Sequence, residues 1–328
     1  MLIGLVVIFM LVKNIFPAWL AGFFIVWLYL LFTTTGVGVY FSHWLYAVMM
    51  IFGAAIAGFT PVGGGAVAYP ILSLYTDLTP QIARDFSLAI QSIGMISASI
   101  YIITRKSYSW LFFRQLPWYI TFNFIGFIAV TALYSLIPIT WIQMMFVSLA
   151  VAFIGSFMFT KQYGVEKNVT PTLTHKMIFG LAGGACAALF GTGSDMLIYI
   201  MLSVYYGQCQ KQATDISIVT MAIMSVLGIA YKGMILHDIS PQVYPMWIAA
   251  APIVAVFAPF GNKLLTMVKT YTMLLFVLGL NVFNYIYWSS QNHSLILPSI
   301  LCIITFILWF NHVKYRNNSS ISNSNTQI

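Results

Sequence analysis

The sequence predicts an all-α polytopic membrane protein made of two inverted repeats. Each repeat is a re-entrant broken helix plus three transmembrane helices, and extra spans lie at the N- and C-terminal ends. Three observations predict this. The first is composition. Of 328 residues, 61% are hydrophobic and 6% are charged, whereas a soluble domain carries about 25% charged residues. The apolar residues fall in long runs, not in the short alternating segments of a transmembrane β-barrel. The second is an internal repeat at a constant offset. The third is the distribution of basic residues over the connecting segments.

The repeat is clearest at its breaks. Gly53 to Tyr75 reads GAAIAGFTPVGGGAVAYPILSLY, apolar enough for a bilayer but interrupted by Thr60, Pro61 and Gly63-Gly64-Gly65. Gly costs about 1 kcal/mol relative to Ala in a helix interior, and Pro about 3. In lipid, the freed backbone groups must also find partners. Gly180 to Tyr205 reads GLAGGACAALFGTGSDMLIYIMLSVY, with its break at Gly191-Thr192-Gly193-Ser194-Asp195. Gly53 aligns with Gly183, Gly63 with Gly193, Tyr69 with Tyr199, Asp85 with Asp215 and Tyr101 with Tyr231, without a gap.

In chain order, residues 1–45 hold an apolar segment and a first span, Pro17 to Thr33, followed by a loop with Gly36, Gly38, Ser42 and His43. Met1 to Val12 is short for a span and reads as a half-helix or a lead-in. Repeat 1 covers 46–160. It contains the broken element Tyr46 to Tyr75 and spans at Pro80–Thr104, Gln115–Leu136 and Thr140–Thr160. Residues 161–176 are the polar connector. Repeat 2 covers 177–288, with its broken element at Met177–Tyr206 and spans at Gln212–Tyr231, Val243–Leu264 and Thr270–Tyr287. A C-terminal span occupies 289–313, and the Asn/Ser-rich tail 314–328 is expected to be disordered.

Basic residues favour the cytoplasmic side. If each broken element enters and leaves on one side, only Arg84 and Lys232 of the 14 Lys and Arg residues fall outside. Each repeat then has an odd number of crossings, so the repeats are inverted and the C-terminus is cytoplasmic. Full crossings by the broken elements would make the repeats parallel and erase the bias. The net charge of +8 follows from this asymmetry and is not a nucleic-acid signal.

Inverted repeats with discontinuous helices point to transport. A half-helix starting near the midplane presents unpaired N–H groups and a positive dipole end, which together favour an anion. Glycines allow close approach. The candidate substrate-binding residues are therefore Thr60, Gly63, Gly64, Gly65, Gly191, Thr192, Gly193 and Ser194. The competing reading is that the glycines serve helix packing alone. Asp195 has three readings: N-cap of the second half-helix, proton carrier for coupling, or the mark of a cationic or neutral substrate. Cys186, Cys209 and Cys302 lack metal or redox spacing, and no His pair has metal-ligand spacing, so no metal, cofactor or catalytic group is expected. Asn123, Asn281 and Asn284 within spans are read as interhelical hydrogen-bonding residues.

At these residues the chain resembles the sulfite exporter TauE/SafE family. The first motif is Gly58-Phe59-Thr60-Pro61-Val62-Gly63-Gly64-Gly65 with Pro70 following, and the second copy is Gly191-Thr192-Gly193-Ser194-Asp195. The resemblance spans roughly Tyr46 to Tyr287. The second copy departs from the family pattern, with Ser194 and Asp195 where glycines are usual. The resemblance implies a multi-pass permease of the cell membrane for sulfite, a sulfonate or a related sulfur-containing or carboxylate anion, linked to a proton or ion gradient. A passive anion channel of the same fold and an intramembrane enzyme are the alternatives. Expected partners are the small anion, the lipid bilayer and a coupling proton; self-association is left open.

Overall fold

The computed structural model describes residues 2–59, 63–105, 110–158, 170–264 and 270–309. Among these the chain is helical. Helix α1 (Leu2–Leu30) ends in a π turn at Leu31–Thr35. Then come α2 (Val39–Phe59), α3 (Gly65–Tyr75), α4 (Pro80–Arg105), α5 (Trp110–Leu133) and α6 (Ile139–Met158). The second half holds α7 (Leu173–Phe190), α8 (Ser194–Tyr199, continued as a π turn to Tyr205), α9 (Gln210–Ala230, continued to Ile235), α10 (Val243–Leu264) and α11 (Thr270–Gln291). A last helix, α12 (His293–Trp309), leaves α11 at a bend of 117°. Among the described residues, seven helices are long and apolar enough to cross a membrane.

Two expectations change in detail. The N-terminal apolar segment is not separate from the first span: α1 runs through both as one helix with Pro17 inside it. The expected loop at Ser42 and His43 is helical, with α2 starting at Val39 and kinked at His43 (φ −122°, ψ 18°). The two legs of each broken element are therefore unequal. Their first legs, within α2 and α7, are long enough to cross, while α3 and the stretch Ser194–Tyr205 are short.

The offset of 130 maps α2–α6 onto α7–α11 in order, and the packing obeys the same exchange. Helix α2 lies against α10 while α7 lies against α5; α3 packs on α4 while α8 packs on α9; α4 meets α9, and α6 meets α11. Each repeat thus lends a helix to the other. Small residues permit the α5–α7 contact, because a side chain at Gly184 would meet the Asn123 carbonyl and one at Gly126 the Leu181 carbonyl. This is the close backbone approach that small residues give membrane helices. Polar cross-ties add register: Trp27 Nε1 donates to the Ile248 carbonyl at 2.9 Å, and Ser97 Oγ to the Ala255 carbonyl at 2.6 Å.

The main core runs through both repeats, with Tyr69, Tyr119, Phe190 and Tyr199 fully buried, and a smaller cluster forms around Leu88, Phe127 and Met224. Large apolar side chains such as Phe32, Phe41, Phe52 and Leu308 point outward, as a bilayer allows and water does not.

Candidate functional site

The two breaks meet inside the bundle. Helix α7 stops at Gly191, whose φ of 73° closes the turn through its N–H to the Ala187 carbonyl at 2.9 Å. Gly193 follows at φ 102°. Both values lie in the left-handed region that favours glycine. On the other side, α3 starts at Gly65 after the Gly63-Gly64 turn, with Ala66 N–H bonded to the Gly63 carbonyl at 2.9 Å. Gly63 to Gly65 and Gly191 to Asp195 are all buried. Thr60 lies outside the described residues.

One side chain joins the breaks. Gln91 of α4, 2% exposed, donates Nε2 to the Gly191 carbonyl at 2.6 Å and to its own helix at Ser87 at 3.3 Å. Two carbonyl acceptors fix the amide orientation, so Oε1 must turn the other way. There it stands against Gly63, as does Asp195 Oδ2, 2.8 Å from where a Gly63 Cβ would be. Asp195 is fully buried. Its Oδ1 accepts from Gly193 N–H at 3.2 Å and Met196 N–H at 3.0 Å, while the Gly63 N–H also faces the carboxyl. Among the described residues, Gln91 Oε1, Asp195 Oδ2 and Thr192 Oγ1 complete no hydrogen bond. Thr192 Cβ sits beside Gly65. Buried polar atoms are nearly always paired, and three of the thirteen unpaired ones among the described residues gather at this junction.

Not every expected residue joins them. Gly64 packs against Gly53 and Met50 of α2. Ser194 turns away and donates to Asn123 Oδ1 at 2.5 Å, while Asn123 Nδ2 holds the Tyr119 carbonyl at 2.7 Å. Asn284 accepts from the Tyr75 hydroxyl at 2.9 Å, so Asn123 and Asn284 both bond between helices. The N-cap of α8 is Gly193, not Asp195; Asp195 nonetheless holds the amides of that turn with one oxygen.

Sequence reasoning passed over Gln91. Its repeat counterpart is Met221, so the duplication gave no hint. The available signal was the row Arg84, Ser87, Gln91, one face of α4 at i, i+3 and i+7, all buried. Arg84 in turn pairs with Asp85, Nε to Oδ1 at 2.8 Å, and has Asp238 Oδ2 3.9 Å from Nη2, and Lys232 shares both carboxylates.

At the predicted inner end, a small pocket is lined by Arg114, Gln115, Trp118, Thr170 and Lys176. Lys176 Nζ stands 5.8 Å over the Tyr119 ring. Among the described residues there is no group of three His, Cys, Asp or Glu that could hold a metal ion.

The sequence pattern of the family described as sulfite exporter TauE/SafE matches residues 45–287. No curated protein and no solved structure matches the chain. The match takes in both breaks, Gln91 and every helix from α3 to α10. With this coverage and its membrane-length helices, the chain is a multi-pass membrane protein that belongs to the sulfite exporter TauE/SafE family of transporters.

Proposed function

We propose that the chain is a secondary transporter for a small anion such as sulfite, a sulfonate or a related carboxylate. It works by alternating access between two inverted repeats, with the C-terminus cytoplasmic and with Asp195 carrying a coupling proton. The observation that carries this reading is the junction of the two breaks, where Gln91 ties one repeat to the other and three buried oxygens stay unsatisfied.

The proton follows from the chemistry of the junction. Gln91 Oε1 is only an acceptor, and an ionised Asp195 is acceptor-only as well. An anion would meet repulsion there. A proton on Asp195 removes the charge and supplies an O–H, leaving the Gly63 and Gly65 backbone and the Thr192 hydroxyl to face the anion. Loss of the proton on the other side of the membrane would expel the anion. One carboxyl thereby couples the two fluxes, as ionisable groups at membrane depth commonly do.

The test is anion uptake by proteoliposomes under an imposed pH gradient, wild type against Asp195→Asn, with sulfite and simple sulfonates offered in turn. The wild type should be driven by the gradient and saturate with substrate. The variant should exchange anion without that drive. A variant indistinguishable from wild type would reduce Asp195 to a turn-holding residue, and flux that follows voltage without saturation would make the protein a channel.

A further inference from the structure

We propose that Arg84 and Lys232 form a second anion site at one mouth of the pathway, filled at rest by the Asp238 carboxylate, which an incoming singly charged oxyanion displaces. The proposal rests on the anion-transport reading above.

The two cations are the pair that the charge pattern sets apart from the other basic residues, and they converge. Arg84 starts α4 and Lys232 lies in the turn after α9. Their side chains are 3% and 0% exposed. Two carboxylates balance them, and these differ in kind. Asp85 is 3% exposed on the same helix as Arg84, takes its Nε at 2.8 Å and lies 3.4 Å from Lys232 Nζ. Asp238 is 68% exposed on the connection before α10, accepting Lys232 Nζ at 2.6 Å with Arg84 Nη2 at 3.9 Å. The buried Asp85 has no solvent to turn into, whereas the exposed Asp238 carboxylate can turn out to solvent while its backbone N–H keeps the Lys232 carbonyl at 3.0 Å. His237 just before it has φ 50°, uncommon for a residue with a side chain, so the loop holds this geometry against the backbone's preference.

Departure of Asp238 would leave one buried positive charge uncompensated, which is very costly in a low-dielectric interior. The vacancy therefore selects for one negative charge. It also selects for oxygens in a plane or tripod. With Nε engaged by Asp85, the remaining guanidinium N–H groups and the ammonium suit an oxyanion, and the guanidinium is held by the Tyr134 ring 4.2 Å away.

The site shares a helix face with the junction of the breaks. The Arg84 carbonyl lies against Gly191, and Ser87 and Gln91 continue the same face of α4. Seven residues of helix span about 10 Å, so an anion released at Arg84 is about two turns from the junction of the breaks. The repeat counterparts of Arg84 and Lys232 are Thr214 and Ile102, so the device exists once.

The test is equilibrium binding of labelled sulfite and of methanesulfonate to the purified full-length protein in nanodiscs, with the thermal midpoint read on the same samples. Asp238→Asn removes the tethered competitor with little change of shape, and should tighten binding about tenfold or more. If the variant unfolds earlier, sulfite should restore its midpoint. Both effects should vanish in Asp238→Asn combined with Arg84→Gln, and persist when combined with Gln91→Ala, which touches only the inner junction. Binding by Asp238→Asn no tighter than wild type, together with no restoration of its midpoint by either anion, would overturn the site and leave the cluster a structural clamp. Uptake by proteoliposomes separates the two readings. Tightened binding without flux of any anion keeps the site and sinks the transporter, whereas wild-type flux with an anion-blind Asp238→Asn sinks the site alone.

Discussion

Gln91 Nε2 donates to the Gly191 carbonyl at 2.6 Å across 100 positions of sequence, from the middle of one repeat's α4 to the left-handed turn that ends α7. Substituting Gln91 by Met, the residue its counterpart position 221 carries, keeps volume and removes both donors. The buried Gly191 carbonyl would lose this partner, a cost of about 1–3 kcal/mol. The expected outcome is a lowered unfolding midpoint with anion flux reduced at least tenfold, measured in proteoliposomes reconstituted at equal protein density.

Gly63→Ala and Gly184→Ala separate function from packing. At Gly63 the new methyl meets the ends of the Gln91 and Asp195 side chains, which move aside only by loosening their bonds to the Gly191 turn, while the backbone stays in place. The variant should remain folded and lose flux. At Gly184 the methyl meets the Asn123 backbone carbonyl, which cannot give way without parting α5 from α7. Overpacking of this kind costs about 1–3 kcal/mol. Unfolding midpoints and uptake on the two variants side by side should show opposite orders of damage.

Ser194 and Asn123 should couple. The hydroxyl donates to the Asn123 amide oxygen at 2.5 Å in a fully buried setting. Ser194→Ala leaves that oxygen unsatisfied, at a cost of about 1–3 kcal/mol. In the background of Asn123→Ala the same change should cost much less. A double-mutant cycle on unfolding free energy gives the coupling directly, and a coupling of zero would remove this bond as the anchor of the second break.

Lys232→Met should be among the most damaging single changes. It leaves Asp85 and Asp238 facing Arg84 alone, and removing one partner of a buried pair typically costs 3–5 kcal/mol. Adding Asp238→Asn restores neutrality in the cluster and should recover part of the lost stability, read as the yield of monodisperse protein and its thermal midpoint.

Membrane class, helix order and the register of the repeat were all legible in the sequence, because both copies keep a glycine before the short helix and a buried tyrosine within it, Tyr69 and Tyr199, although only Gly193 of the pair Gly63/Gly193 takes a left-handed φ. Pattern reading loses force where the copies diverge. Gln91 faces Met221 in the alignment, and Lys232 faces Ile102, so each polar residue looks like an isolated exception in an apolar run. The cluster around Arg84 also depends on Asp238, a connection residue with no periodicity to place it. The start of α2 was misread because Gly36 and Gly38 suggested an irregular segment, whereas the chain re-enters helix at Val39 one residue later.

The exchange of helices between repeats has a consequence for biogenesis. The partner of α2 is α10, which the ribosome reaches about 200 residues later; at roughly 5–20 residues per second the first repeat waits about 10–40 seconds for it. Meanwhile α2 and α5 must rest in lipid, or against the insertion machinery, with the surfaces destined for α10 and α7 uncovered. Neither half is a finished unit on leaving the translocon. A chain cut between residues 161 and 170, ahead of α7, should yield two fragments that are each degraded alone but reassemble when co-expressed, since each carries the helix that completes the other.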